Sequence, residues 1–304
     1  MFSARRIAEF AQQNSVDVIH AHVARDYIAA SIAARSAGTR LVLTRHMAAP
    51  MKSFHRFALR NVDAAIAVSP VVRDHLERVF PPAKVRLILN GVELVAADRA
   101  ERLRQRDEFR SFHNIRRDAQ VVVSLGELKV TKGQRDLVLA ANEVLKERPE
   151  TIFVIAGEDN SLDQKFRREL RRLVRVLGMD DNFIWLNWLD DIAPLMAAGD
   201  LFVSPSHAES FGLAMLDAMV AGLPVVATET AGARELIRDK KALVPIKQPL
   251  ALAATIVKYL TDDAAREALA AQLERSARDR FSLKSMVDAT EAVYRGLQKR
   301  RNAV

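Results

Sequence analysis

The chain has 304 residues, room for two domains that each bury a core. With 49% hydrophobic and 28% charged residues it has a globular balance, which excludes a disordered or fibrous chain, and charged residues interrupt every apolar run before the roughly 20 residues that a membrane span needs. There is no cysteine, so disulfides, thiolate metal sites and cysteine nucleophiles are excluded, and the 46 Lys and Arg against 38 Asp and Glu leave a charge of +8 that favours acidic partners.

The elements follow in chain order. Met1 to Ala11 reads as an amphipathic helix, with Phe2, Ile7 and Phe10 against Arg5, Arg6 and Glu9, and not as an export signal. From Val16 the runs VDVIHAH, LVLT (41–44), AAIAVS (64–69) and VRLIL (85–89) alternate with helical stretches at Asp26 to Ala37, Phe54 to Asn61 and Pro70 to Val79. Asn90-Gly91 punctuates the chain, and Asp98 to Arg110 reads as a solvated charged helix. A second series of strands follows: VVVSLG (121–126), TIFVIAG (151–157), FIWL (183–186), LFVSPS (201–206) and PVVAT (224–228). Helices are predicted between them at Gln134 to Arg148, Gln164 to Leu177, Ile192 to Ala198 and Leu213 to Ala221, and Pro249 to Arg301 is helical throughout, ending in Lys299-Arg300-Arg301.

Continuous apolar strands separated by helices predict parallel sheets covered on both faces. The fold class is therefore α/β, with two Rossmann-like parallel-sheet domains. The boundaries read as 1–95 and 96–283, with a helix over about 284–304 packing back on the first domain. In such sheets ligands bind beyond the carboxyl ends of the strands, which makes the cleft between the domains the expected active site.

The densest cluster of chemistry is PSHAESFGLAMLDAMVAGLPVVAT, from Pro205 to Thr228. Glu209 lies in the turn leaving a strand, and Phe211-Gly212-Leu213 opens a helix whose first N–H groups have no intrahelical partner. A glycine there lets phosphates approach the backbone at the positive end of the helix dipole. Asp217, just over one turn further on, is placed to accept hydroxyl groups of the same ligand. Equally, Gly212 could serve only as a tight turn, with Glu209 and Asp217 as solvated carboxylates near a helix N-terminus.

This segment resembles the donor site of the family 4 retaining glycosyltransferases of GT-B fold, with its two acids separated by seven residues that include Phe-Gly-Leu and its Ala-Met-x-x-Gly-x-Pro-Val-Val ending. AGARELI (231–237), Lys132-Gly133, DAAIAVS (63–69), LNGVE (89–93) and DVIHAH (17–22) extend the resemblance along nearly the whole chain. The resemblance implies transfer of a hexosyl unit from a nucleotide-sugar, a UDP-hexose being the commonest donor, to a glycan or lipid-linked acceptor. It implies that Glu209 sits near the donor sugar, that Ser210, Phe211, Gly212 and Leu213 offer backbone N–H groups, and that Asp217 holds the ribose. Lys132 would neutralise the departing diphosphate beside Gly126, and His22 would meet the sugar or acceptor, with Arg45 and His46 as acceptor-side candidates. His20, two residues before His22, reads as its structural neighbour. No cofactor is expected, since the nucleotide-sugar is a substrate. The absence of an Asp-x-Asp flanked by apolar strands predicts no metal.

Three departures from the family pattern stand out. The second acid is Asp217 where the family has Glu; Gly126 is followed by Glu127 where the family has Arg; and about three strands that normally precede DVIHAH are not seen, so the N-terminal domain reads as incomplete. Two other readings stay open: a nucleotide-binding remnant without transfer activity, and a sugar-nucleotide epimerase of the same fold. The remaining signals are smaller. Lys165 to Arg175 carries six Lys or Arg with an apolar face, which reads as a solvated helix with a weak peripheral attraction to anionic membrane. At 6% aromatic residues the chain lacks the stacking surface of a single-strand nucleic-acid binder, so nucleic acid is not an expected partner. The expected location is cytoplasmic, including the inner face of the membrane.

Overall fold

A computed structural model describes residues 2–52, 54–94 and 98–301. The chain divides into two units: the segment up to Glu93 together with that from Phe281 onward, and Leu94–Arg280.

In the first unit, helix α1 (Phe2–Gln13) leads into β1 (Val18–Ala21), α2 (Tyr27–Ala37), β2 (Arg40–Arg45), the single turn α3 (His55–Ala58), β3 (Ala64–Ala67), α4 (Pro70–Glu77) and β4 (Val85–Leu87). The strands form one parallel sheet in chain order, β1-β2-β3-β4. Strands β2 and β3 are buried almost throughout, as their unbroken apolar runs require, whereas β1 is half-buried and carries a partner strand on one edge only among the described residues. Gly38 ends α2 in the left-handed conformation, φ 68°, the usual device for stopping a helix.

The second unit begins with α5 (Arg99–Phe112) and continues with β5 (Val121–Leu125), α6 (Gln134–Glu147), β6 (Ile152–Ala156), α7 (Lys165–Val176), β7 (Phe183–Leu186), α8 (Ala193–Ala198) and β8 (Leu201–Ser204). Then come α9 (Leu213–Val220), β9 (Val225–Thr228), α10 (Ala231–Leu236), β10 (Leu243–Val244), α11 (Pro249–Thr261) and α12 (Asp263–Arg280). Six parallel strands run in the order β10-β9-β8-β5-β6-β7. From β5 the chain winds outward through β6 and β7, then returns to the other side of β5 with β8 and winds outward again. The reversal lies between β5 and β8, whose Val122 and Val123 pair with Leu201 and Phe202. Two-layer cover by helices leaves Val121, Val123, Phe153, Val154 and Val203 with no exposed surface.

The chain then re-enters the first unit. Val92 donates to the Phe281 carbonyl and accepts from the Leu283 N–H, at 3.0 and 2.9 Å. Helix α13 (Leu283–Arg301) follows and lays Leu297 on a core made by Val42, Ala64, Ile66 and Ile88, with Met286, Val293 and Tyr294 packed around it. Side chains 299–301 and residues 302–304 of the expected 284–304 helix lie outside the described residues.

The structure corrects three local readings. The 98–110 stretch is not simply solvated: Arg110 is 3% exposed, and it and Arg106 both bind the carboxylate of Asp200, at 2.8 and 2.7 Å, which pins α5 to the start of β8. Arg167 does not belong to the solvated basic face of α7, because it is buried and donates to the Gly157 and Leu186 carbonyls at 2.5 and 2.8 Å. The two-residue strand β10 falls in a stretch where no strand is expected; Leu243 and Val244 are too short a run to show a period.

Candidate active site

All six strands of the second sheet are parallel, so the loops that follow β5, β6, β8 and β9 emerge at one edge of it. Two of them, 126–133 and 205–212, leave the neighbouring strands β5 and β8 on either side of the reversal. At such a point the crossovers pass to opposite faces of the sheet and leave a crevice between them.

Sequence holds these two loops close. Gly133 has φ 68°, and a Cβ built on it would sit 1.9 Å from the Pro205 carbonyl oxygen, a contact only glycine permits. His207 donates its backbone N–H to the Thr131 carbonyl at 2.9 Å, and its ring Nε2 meets the Asp136 carboxylate at 2.7 Å. The result is that Lys132 Nζ lies 2.5 Å from Glu209 Oε2. Both side chains are mostly covered, 27% and 18% exposed, so water screens this pair less than a surface one.

Two helices start beside that pair without side-chain caps. Gly133 is the N-cap of α6 and Gly212, φ 101°, the N-cap of α9. A glycine N-cap offers no side-chain oxygen to the first N–H groups, a start that suits an anion. Leu213 is half-exposed at the first position of α9, and Asp217 lies one turn below it on the same face. Behind them, Gly232 donates to the Glu209 carbonyl at 2.9 Å, and a Cβ there would lie 2.5 Å from the Phe211 carbonyl oxygen. Thr230 caps α10 through its side chain, accepting from the Ala233 N–H at 3.2 Å.

Burial pushes the Asp217 carboxyl up to about 6, and no side-chain or backbone donor reaches it among the described residues. The folded protein therefore holds this proton more tightly than the unfolded chain. Its stabilising effect is complete below the ordinary value of about 3.8 and is lost as pH rises through about 6. Asp217→Asn is expected to be more stable than the parent at pH 7 by up to ~2 kcal/mol and level with it near pH 4, measured by urea unfolding at the two pH values.

At the mouth of β5, Glu127 is bonded to Lys129 and accepts from Asn160 at 3.4 Å. The Lys129 ammonium holds the Glu127 carboxyl below the usual carboxylate range. The anion after Gly126 is thus answered locally by Lys129, while Lys132 is engaged by Glu209.

The first unit carries the other residues singled out by sequence. Two histidines meet past the strand ends: His22 Nδ1 lies 3.3 Å from His46 Nε2 with the rings stacked, 5.6 Å between centroids. Desolvation and the charge that His22 would carry push the His46 imidazole below its ordinary value. His20 is built into the unit, with Nε2 at 2.7 Å from Thr44 Oγ1 and Nδ1 at 2.5 Å from the Tyr294 hydroxyl. Burial first, then His22 and His46, lowers it to about 4, which keeps the ring neutral near pH 7. Arg45 is buried and donates to the Ala49 carbonyl, so it braces the 46–49 turn. Among the described residues no group of three or more His, Asp or Glu could hold a metal ion, and no helix is long and apolar enough to cross a membrane.

Sequence reasoning missed the Asp136–His207 pair, the Thr230 cap and Tyr294. The first and last join residues far apart in sequence and have no local signal, whereas Thr230, three residues before Ala233, is a local cap that the pattern did offer.

The family models match in the same arrangement: that of glycosyl transferases group 1 covers residues 105–280 and that of glycosyltransferase family 4 covers residues 1–95. The chain is 24% identical over 305 residues to N-acetyl-alpha-D-glucosaminyl L-malate synthase of Bacillus anthracis, covering 96% of this chain and 77% of the relative. Other curated relatives are matched over less of their length, 59% for a Methanocaldococcus jannaschii glycosyltransferase. Among solved structures, a Rickettsia africae glycosyltransferase superposes with a TM-score of 0.85 at 20% identity over 98% of this chain and 81% of its own. The Anabaena protein Alr3699/HepE, solved with UDP and glucose, gives 0.85 at 22% identity over 95% and 80%. Both share the GT-B class of two Rossmann-like units. With its larger unit matched almost from end to end by the first model, the chain belongs to the group 1 glycosyltransferases.

Proposed function

We propose that the chain is a retaining glycosyltransferase that moves a hexosyl unit from a nucleotide-sugar, a UDP-hexose, to a glycan or lipid-linked acceptor. The observation that carries the reading is the Lys132–Glu209 pair at the sheet reversal, flanked by the two glycine-capped helix starts of α6 and α9. The solved relative with UDP and glucose supports the choice of donor.

The donor diphosphate takes the α9 N-terminus, Ser210 to Leu213 present backbone to it, and the ionised Asp217 accepts the ribose hydroxyls in place of the missing protein donors. The sugar carbon to phosphate-oxygen bond breaks as the acceptor hydroxyl attacks the same face; the departing phosphate oxygen takes the acceptor proton, giving glycoside and nucleoside diphosphate. Lys132 answers the charge that develops on the leaving group, and Glu209 orients Lys132 and the sugar. Gly126 leaves the β5 edge open to the diphosphate. His22 and His46 contact sugar or acceptor in this reading, and Arg45 shapes the turn that presents His46. Lys132 supplies the cation, so no metal or cofactor is required. The exposed cations of α7, Lys165, Arg168 and Arg172, support weak attachment to an anionic membrane at its cytoplasmic face.

Calorimetric titration with UDP, GDP and ADP tests the donor assignment. UDP is expected to bind in the micromolar range and to weaken as pH falls through about 6, where Asp217 takes up its proton. Glu127→Arg is expected to tighten it. Proton NMR of the glycosidic product reads retention directly. A second reading, nucleotide binding without transfer, draws on the Glu127–Lys129 pair standing where the family has a free cation; UDP binding with no nucleoside diphosphate released in the presence of donor and acceptor would favour it.

A further inference from the structure

The opposite edge of the second sheet, where β8 and β9 begin, opens into a cavity of about 570 Å³. Arg99, Arg102, Arg106 and Arg266 line it, against two carboxylates, Asp200 and Glu267. Asp200 is already committed to Arg106 and Arg110, and Arg266 pairs with Asp263 at 2.7 Å. Arg99 and Arg102 have no side-chain acceptor among the described residues. Arg99 is exposed and Arg102 half-buried; the Arg102 guanidinium lies over Gly222, φ 72°, where a Cβ would come within 3.1 Å of Nη1 and 3.4 Å of Glu274 Oε2, a carboxylate bonded to Arg278. Gly222 is therefore tied to the cavity by shape as well as by backbone conformation.

A half-buried guanidinium without a hydrogen-bonded acceptor of its own favours a ligand that supplies one. The forked donors of arginine match phosphate oxygens two at a time. The cavity volume falls in the range of small-molecule sites, with an apolar floor from Leu103, Leu223 and Pro224 beside the charged groups. We propose that this basal cavity binds a small phosphorylated polyanion, held by Arg99 and Arg102 with Arg266 at its rim. The site is distinct from the candidate donor site, which lies at the other ends of the same strands. Its ligand would sit on the Gly222–Pro224 turn that joins the far end of α9 to β9.

The test uses inorganic pyrophosphate, titrated calorimetrically into the full chain carrying Lys132→Ala, which removes the candidate donor site's cation. Adding Arg99→Ala and Arg102→Ala should weaken binding by roughly tenfold or more. Adding Arg168→Ala and Arg171→Ala instead, an equal loss of charge on the exposed face of α7, should change it by less than about twofold. Binding that is absent up to about 10 mM in the Lys132→Ala protein, or equally affected by the two pairs, overturns the proposal. A cooperative melt of each variant shows that a loss of binding is not a loss of fold.

Discussion

Glu209→Ala and Lys132→Ala are each expected to lower transfer, measured as nucleoside diphosphate release in the presence of acceptor, by about 10²- to 10³-fold. The two side chains are one unit, 2.5 Å apart and mostly covered, so each single truncation leaves the other as an uncompensated charge in the crevice. For the same reason the double variant should lose about as much as the worse single variant, not the product of the two. Both groups stand on loops at the strand ends and outside the buried core, so urea unfolding of the singles should stay cooperative, with a loss of at most about 3 kcal/mol for the charge left unpaired. Turnover at the parental rate in either single variant would sink the assignment of this pair to the chemistry.

The largest effect on stability is expected from Gly133→Ala. Gly133 and Gly178 have nearly the same positive φ, 68° and 70°, yet a Cβ at Gly178 meets nothing within 4 Å whereas one at Gly133 meets the Pro205 carbonyl at 1.9 Å. Gly178→Ala therefore pays only the left-handed strain of an L residue, about 1 kcal/mol. Gly133→Ala adds a backbone clash that the flanking strands β5 and β8 resist, and should cost more than about 3 kcal/mol in urea unfolding. It should also part Lys132 from Glu209 and with them abolish nucleotide binding. Equal stabilities for the two variants would mean that the loops separate freely.

The contrast between these glycines shows what a sequence discloses. Lys132-Gly133 was visible as a motif, and Glu209 to Asp217 as a segment with a glycine-opened helix, because turn chemistry and helix starts are local. The α/β class was visible for a related reason: β-branched runs buried on both faces, such as VVVSL and TIFVIA, leave no polar alternation. What the pattern hid is the use made of charge at a distance. Arg106 and Arg110 read as solvent-facing from their neighbours on α5, and only the arrival of Asp200, some 90 residues later, turns them inward. Arg167 likewise stands among the cations of α7, ahead of Arg168, but its helix position falls with Leu170 and Val174 on the buried side, where carbonyls at the ends of β6 and β7 accept its protons. Asp217 was legible as a candidate ligand group and its elevated proton affinity was not, since that comes from the burial that folding imposes.

Helix α13 bears on how the molecule is made. Leu297 completes the core over Val42, Ala64, Ile66 and Ile88, and Tyr294 holds His20, but these residues leave the ribosome only after the whole of Leu94–Arg280. The first unit to be synthesised is therefore the last to be finished: its sheet waits with one face uncovered while the second unit, continuous in sequence, closes on itself. Nascent chains halted just before Leu283 carry the whole of Leu94–Arg280 attached to an open apolar sheet, which is the form a chaperone would find.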